Sequence, residues 1–150
     1  MSRRIAIASD HAAIVMKSEL AEWLRSAGHA VTDLGPDSTA SVDYPDYGYA
    51  LARTIERGDA EFGVALCGSG IGISIAVNRN PAARCALVSE PLSARLAREH
   101  NDANVVAMGA RLLGIEMAKA CVTAFLETSF GGDRHQRRVD KLSHPERSPV

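Results

Sequence analysis

The chain has 150 residues, 46% of them hydrophobic, and a formal net charge of −1. That length and apolar content suit one globular domain, 1–150, with a real core, and the near-neutral charge argues against a nucleic-acid partner. No apolar stretch approaches the ~20 residues of a membrane span, and Met1-Ser2-Arg3-Arg4 leads straight into a strand pattern without a signal-peptide core, so a cytoplasmic protein with no membrane partner is expected.

In chain order, Ile5-Ala6-Ile7-Ala8 reads as a first buried strand ending in Ser9-Asp10-His11. Ala12 to Ala27 carries Val15, Met16, Leu20, Trp23, Leu24 and Ala27 at helical spacing and stops at Gly28. Ala30 to Leu34 is a second strand. A polar loop from Gly35 to Tyr44 leads to Pro45, which suits the first turn of a helix reaching Arg57 and closed by Gly58. Phe62 to Leu66 is a third strand, followed by Cys67 and a helix over Ile71 to Val77. Cys85 to Val88 is a fourth, and Ser89-Glu90-Pro91 starts a short helix through Leu96. Val105 to Met108 is a fifth. The pattern then predicts a helix from Ile115 to Phe130, with Met117, Ala120, Cys121, Ala124, Phe125 and Leu126 inward, and a last one capped by Asp133 and reaching Leu142. The tail from about His144 is expected to be loosely ordered. This alternation predicts an α/β fold: one three-layer α/β/α Rossmann-like domain with a five-stranded parallel sheet.

The run Cys67-Gly68-Ser69-Gly70-Ile71-Gly72-Ile73-Ser74 carries the strongest chemical signal. It sets an ionisable sulfur and a glycine-rich turn at the carboxyl end of a strand and the start of a helix, where backbone N–H groups can face an anion and the helix dipole favours a thiolate. A glycine-rich β-to-α turn with a small buried Cys is the plainer reading. Asp10 and His11 at a second strand tip tip the balance towards chemistry. Cys67, Cys85 and Cys121 are odd in number and form no Cys-x-x-Cys pair, which argues for reduced thiols over disulfides or a zinc site; Cys85 and Cys121 read as core. His29 and His144 read as solvent-exposed. His100 at a helix end is either a favourable charge placement or a functional group. Arg134 and Arg138, four apart, either grip a phosphate together or belong to a solvated basic face with Arg137 and Lys141. Arg111 follows the fifth strand at the ligand-binding edge.

Seven segments together resemble the type B ribose-5-phosphate isomerases, a family that includes galactose-6-phosphate and allose-6-phosphate isomerases. They are Ser9-Asp10-His11, Asp43-Tyr44-Pro45-Asp46-Tyr47, the Cys67 to Ser74 run, Ser89-Glu90-Pro91, Glu99-His100-Asn101-Asp102-Ala103-Asn104, Gly109-Ala110-Arg111 and Arg134-His135-Gln136-Arg137-Arg138. The resemblance runs from about residue 3 to residue 142 without a large insertion.

It implies an aldose–ketose isomerisation of ribose 5-phosphate and ribulose 5-phosphate through a cis-enediolate, with no metal and no organic cofactor. Cys67 matches the family's base. Ser69 and the N–H groups across Gly68, Gly70, Ile71 and Gly72 match its donors to the enediolate. His100 matches the ring-opening acid/base, with Asp10 as the carboxylate that orients or tunes it. His11, Arg111, Arg134 and Arg138 match the phosphate ligands, and Asn101 a hydroxyl contact. A homodimer with the site shared between subunits is implied, and a tetramer is compatible with it. Relatives that lack the Cys use a later Glu, but Ile73-Ser74-Ile75-Ala76-Val77 holds no carboxylate, which places this chain with the Cys-dependent members. Ser69 stands where some relatives have Thr, and Ala13 where Gly is frequent. The alternatives are an isomerase of a six-carbon aldose phosphate (allose 6-phosphate or galactose 6-phosphate), a cysteine hydrolase or transferase with His100 as base, and a non-catalytic sugar-phosphate binding protein.

Overall fold

A computed structural model describes residues 1–150. The strands are β1 (Arg4–Ser9), β2 (Ala30–Asp33), β3 (Phe62–Cys67), β4 (Cys85–Leu87) and β5 (Val105–Gly109). The helices are α1 (Ile14–Ser26), α2 (Tyr44–Glu56), α3 (Ile71–Val77), α4 (Pro91–Asn101), α5 (Ile115–Glu127) and α6 (Arg134–Ser143). All strands are parallel in the order β2-β1-β3-β5-β4. The predicted architecture is the one observed.

Period-two alternation sorts the strand residues to two faces. Ile5, Ile7, Val64, Leu66, Val106 and Met108 pack against α1, α4 and α5 through Leu20, Leu24, Ala97, Val122 and Phe125. The opposite face is built from smaller residues, Ala6, Ala8, Ala65, Cys67 and Ala107, and receives α2 and α3 through Leu51, Ile73 and Val77. Small residues let those two helices approach closely: a Cβ on Gly48 of α2 would fall 2.8 Å from the Cβ of Ala76 on α3. Cys67 therefore points to the side where α3 begins.

Several element boundaries differ from expectation. His11–Ala13 forms a separate 3₁₀ turn before α1, and Val15, expected inward, is exposed, while Lys17 is buried in an ion pair with Asp33. α4 continues to Asn101 because Arg98 is buried rather than solvated; its guanidinium lies over the Phe62 ring and bonds Asp102 and the Ala103 carbonyl. α5 stops at Glu127, where the Thr128 hydroxyl donates to the Ala124 carbonyl and Thr128 turns extended; Met117 and Ala120 face outward, and Ala118 and Val122 take the inward positions. Asp133 precedes α6 but makes no side-chain cap. Gly28 and Gly58 close α1 and α2 at positive φ, as read. Beyond α6 a single 3₁₀ turn spans Pro145–Arg147. His29 is half-buried, its Nδ1 accepting the Arg3 N–H, and His144 pairs with Glu146. No helix is long and apolar enough to cross a membrane.

Candidate active site

The carboxyl ends of β1, β3 and β5 lie side by side in the middle of the sheet, where chain order reverses direction on either side of β1 and β3. Such a switch point leaves a crevice for a ligand. Here the crevice is a cleft of about 670 Å³ that takes Asp10 and His11 from the end of β1, Cys67, Gly68 and Ser69 from the end of β3, and Arg111 from the turn after β5. Ile71 and Gly72 of α3 complete the wall.

Cys67 is 4% exposed, and its sulfur accepts the Gly70 N–H at 3.1 Å. A donor aimed at sulfur stabilises negative charge there, and this single N–H does so directly, at the start of a helix only seven residues long. Gly70 can present it because φ is +78°; a Cβ at that residue would meet the Met108 carbonyl carbon at 2.7 Å. The turn is also clamped from the other side. A Cβ on Gly109 would fall 2.5 Å from the Ser69 carbonyl carbon, so the two strand tips touch backbone to backbone.

The expected row of five N–H donors divides. Gly70 N–H is committed to Cys67 and Ile71 N–H to the Ser69 hydroxyl oxygen at 3.2 Å. Gly68, Ser69 and Gly72 N–H groups have no acceptor within the chain. Because Ser69 Oγ accepts from Ile71, its own proton is available to an oxygen in the cleft. Gly70 itself is buried behind the wall.

Two basic groups flank the thiol. Arg111 lies against Gly68, whose missing side chain leaves the guanidinium 3.5 Å from where a Cβ would stand, and the Arg111 backbone N–H donates to the Gly68 carbonyl at 3.0 Å. His11 Nδ1 accepts the Val42 N–H at 3.1 Å. In the neutral ring the proton is then on Nε2, leaving a donor for the ligand. Asp10, 8% exposed, accepts the Ala12 N–H through Oδ1 at 3.0 Å. Lys17, Asp33 and Gly35 hold the loop that supplies Val42: Lys17 Nζ pairs with Asp33 at 2.6 Å, Gly35 N–H donates to the same carboxylate, and Ser9 N–H donates to the Gly35 carbonyl.

Tyr44, Ala12, Ile75 and Leu112 also line the cleft and were not singled out as site residues. Tyr44 sits in the Asp43-Tyr44-Pro45 segment, and its ring is placed by Gly72, where a Cβ would fall 2.5 Å from it. A glycine two residues into α3 was the available signal.

His100, Asn101, Arg134 and Arg138 are elsewhere. In a parallel sheet each connecting helix runs back against the strands, so the C-terminal end of α4 lies near the amino end of β5. Cys67 is opposite Gly109, the last residue of β5, whereas His100 precedes its first residue, Val105. The strand between them rises roughly 13 Å. Asp10 and His100 are thus at opposite edges of one sheet, and Asp10 does not orient His100 within a chain. Asn101 lines a second cleft, of about 290 Å³, with Asn78, Arg84 and Leu142. Beside it the His100 ring stacks on His135 of α6. Arg134 and Arg138 are exposed on the same helix, and Arg137 faces a polar cleft with Asp133 and Lys141 instead.

Cys121 is buried in the core, as read, whereas Cys85 is half-buried, packed against the core on one side and lining the second cleft on the other. Burial pushes the Cys85 thiol up to about 12 and raises that of Cys121, to which Glu90 adds a smaller push.

The ribose/galactose isomerase family profile matches residues 5–142. The chain is 40% identical to ribose-5-phosphate isomerase B of Escherichia coli over 141 residues, 94% of this chain and 95% of that protein. It is 39% identical to D-erythrulose-4-phosphate isomerase of Pectobacterium atrosepticum, over 95% of this chain and 94% of that one. A crystal structure of a ribose 5-phosphate isomerase from Thermotoga maritima superposes with a TM-score of 0.92 at 47% identity, over 94% of this chain and 97% of that one. With fold, cleft and sequence in agreement over nearly the whole length, the chain belongs to the ribose/galactose isomerase family and is a sugar-phosphate isomerase.

Proposed function

We propose that the protein interconverts ribose 5-phosphate and ribulose 5-phosphate, as a homodimer in which each site combines the Cys67 cleft of one subunit with His100, Asn101, Arg134 and Arg138 of the other. The observation that carries this reading is the Cys67 sulfur facing a backbone N–H donor at 3.1 Å, in a cleft that also holds Asp10, His11 and Arg111. His100 opens the furanose ring. The Cys67 thiolate then takes the C2 proton of the aldehyde, leaving a cis-enediolate with its charge on O1. Ser69 O–H and the free N–H groups of Gly68, Ser69 and Gly72 face that charge. Return of the proton from sulfur to C1, with the O2 hydroxyl proton passing to O1, leaves the carbonyl at C2.

The shared site is supported by two features. One chain holds its thiol and its ring-opening histidine at opposite sheet edges, and Ile71, Ile75 and Leu112, beside the cleft, are 51%, 60% and 68% exposed, an apolar rim suited to a second subunit. Ribose 5-phosphate is proposed over the six-carbon aldose phosphates on the likeness to the Escherichia coli and Thermotoga maritima proteins.

The test is turnover in deuterated water. Solvent deuterium entering ribose 5-phosphate at C2, with kcat/KM for ribose 5-phosphate at least tenfold above those for allose 6-phosphate and galactose 6-phosphate, is the expected result. A six-carbon substrate turned over faster would replace the sugar, and a covalent thioester or thiophosphate on Cys67 would replace the mechanism.

A further inference from the structure

The imidazoles of His100 and His135 lie face to face, centroids 4.5 Å apart and planes inclined by 16°. Phosphate binding does not call for this. His100 is in the last turn of α4 and His135 in the first turn of α6, so their contact depends on the segment between α5 and α6. That segment is pinned: Gly131 N–H donates to the Glu99 carbonyl at 2.9 Å, and a Cβ on Gly131 would press to 3.0 Å from the same oxygen. His135 N–H donates to the Gly132 carbonyl at 2.9 Å. Both rings are half-buried. No hydrogen bond within the chain orients the His100 ring, so the stacked face does.

Two imidazolium ions at this separation, beside the Arg134 and Arg138 guanidinium groups, would repel. His135 is the member held below the ordinary histidine range, by loss of solvent first and then by the charges of Arg134, His100 and Arg138, with Glu99 pulling the other way. At neutral pH it offers a flat uncharged face.

We infer that His135 is a positioning residue for ring opening, fixing by its stack the plane in which His100 meets the cyclic sugar. The inference rests on the proposed role of His100. In that step a His100 nitrogen takes the O1 hydroxyl proton, the C1–O4 bond breaks with its electron pair going to O4, and O4 takes a proton back from the imidazole. One ring must address two oxygens of one sugar, so a tilt of its plane loses the step while leaving phosphate binding intact. Arg134 and Arg138 on the same helix grip the phosphate; His135 sets the imidazole beside it.

Three variants, His135→Ala, His135→Phe and His100→Asn, are assayed on ribose 5-phosphate and on erythrose 4-phosphate, whose O4 carries the phosphate and cannot close a five-membered ring. His135→Ala is expected to lower kcat on ribose 5-phosphate about 10- to 100-fold and to leave erythrose 4-phosphate within about twofold, with KM little changed. His135→Phe, which keeps a flat face, recovers most of the loss. Equal losses on both substrates, a rise in KM on both, or a Phe variant no better than Ala overturns the inference. If His100→Asn is selective for the cyclic sugar while His135→Ala is not, His135 alone loses its role; if His100→Asn is itself unselective, both roles fall.

Discussion

A cysteine at the end of a buried strand is ordinarily inert packing. Cys67 differs from Cys85 and Cys121 in what its sulfur meets: a backbone N–H at 3.1 Å, in the cleft that holds Asp10, His11 and Arg111, whereas loss of solvent raises the other two thiols and favours their protonated form. A thiol raised to about 12 is still protonated at pH 8, and only a thiolate alkylates. Iodoacetate at pH 8 is therefore expected to modify Cys67 alone in the folded protein, with inorganic phosphate slowing the reaction, as read by peptide mass spectrometry; labelling of Cys85 at a comparable rate contradicts the assignment. Cys67→Ala should lower kcat about 10²- to 10⁴-fold with KM nearly unchanged, because the lost group acts on the transition state. A variant turning over at a near-normal rate removes Cys67 from the chemistry.

At the scale of elements, most of the fold was legible because buried parallel strands are short, nearly continuous apolar runs and the helices between them carry proline starts at Pro45 and Pro91 and glycine stops at Gly28 and Gly58. The misplaced boundaries have particular causes. Arg98 looks like a solvated residue that should thin out a helix, yet tertiary contacts with Phe62, Asp102 and Ala103 bury it and carry α4 on to His100. Thr128 ends α5 early through a hydroxyl bond to Ala124 that competes with helix continuation. The strand-tip residues of the site were legible for the same reason the strands were. Tyr44 was not, since its placement depends on a glycine 28 positions later in the chain. On α6, Arg134 and Arg138 share one face and Arg137 turns to another cleft, so the helix itself supplies a control. A charge-assisted contact to a phosphate is worth about 1.5 to 3 kcal/mol, so Arg138→Ala should lower kcat/KM at least tenfold, mostly through KM, and the double variant with Arg134→Ala more. Arg137→Ala should stay within about twofold. Three single variants with equal small losses would return these residues to a plain basic surface.

At the scale of the molecule, the parallel topology itself separates the proposed site residues into two groups. Strand tips present Cys67, Asp10, His11 and Arg111 at one edge of the sheet, and the helices that run back deliver His100 and α6 to the other. The likeness to a family with shared sites led to the expectation of a dimer, and the sheet supports that proposal, since Cys67 lies at the carboxyl end of one strand while His100 precedes the amino end of its neighbour. The decisive measurement is a heterodimer built from Cys67→Ala and His100→Asn subunits, each carrying a different affinity tag and purified through both. In an isologous dimer one of its two sites inherits both defects and the other inherits neither. Each parent homodimer should be at least 100-fold impaired on ribose 5-phosphate, and the doubly tagged heterodimer should recover about half of the unmodified activity per dimer. A heterodimer no more active than its parents would contradict the account, because Cys67 and His100 would then have to act within one chain or not together at all.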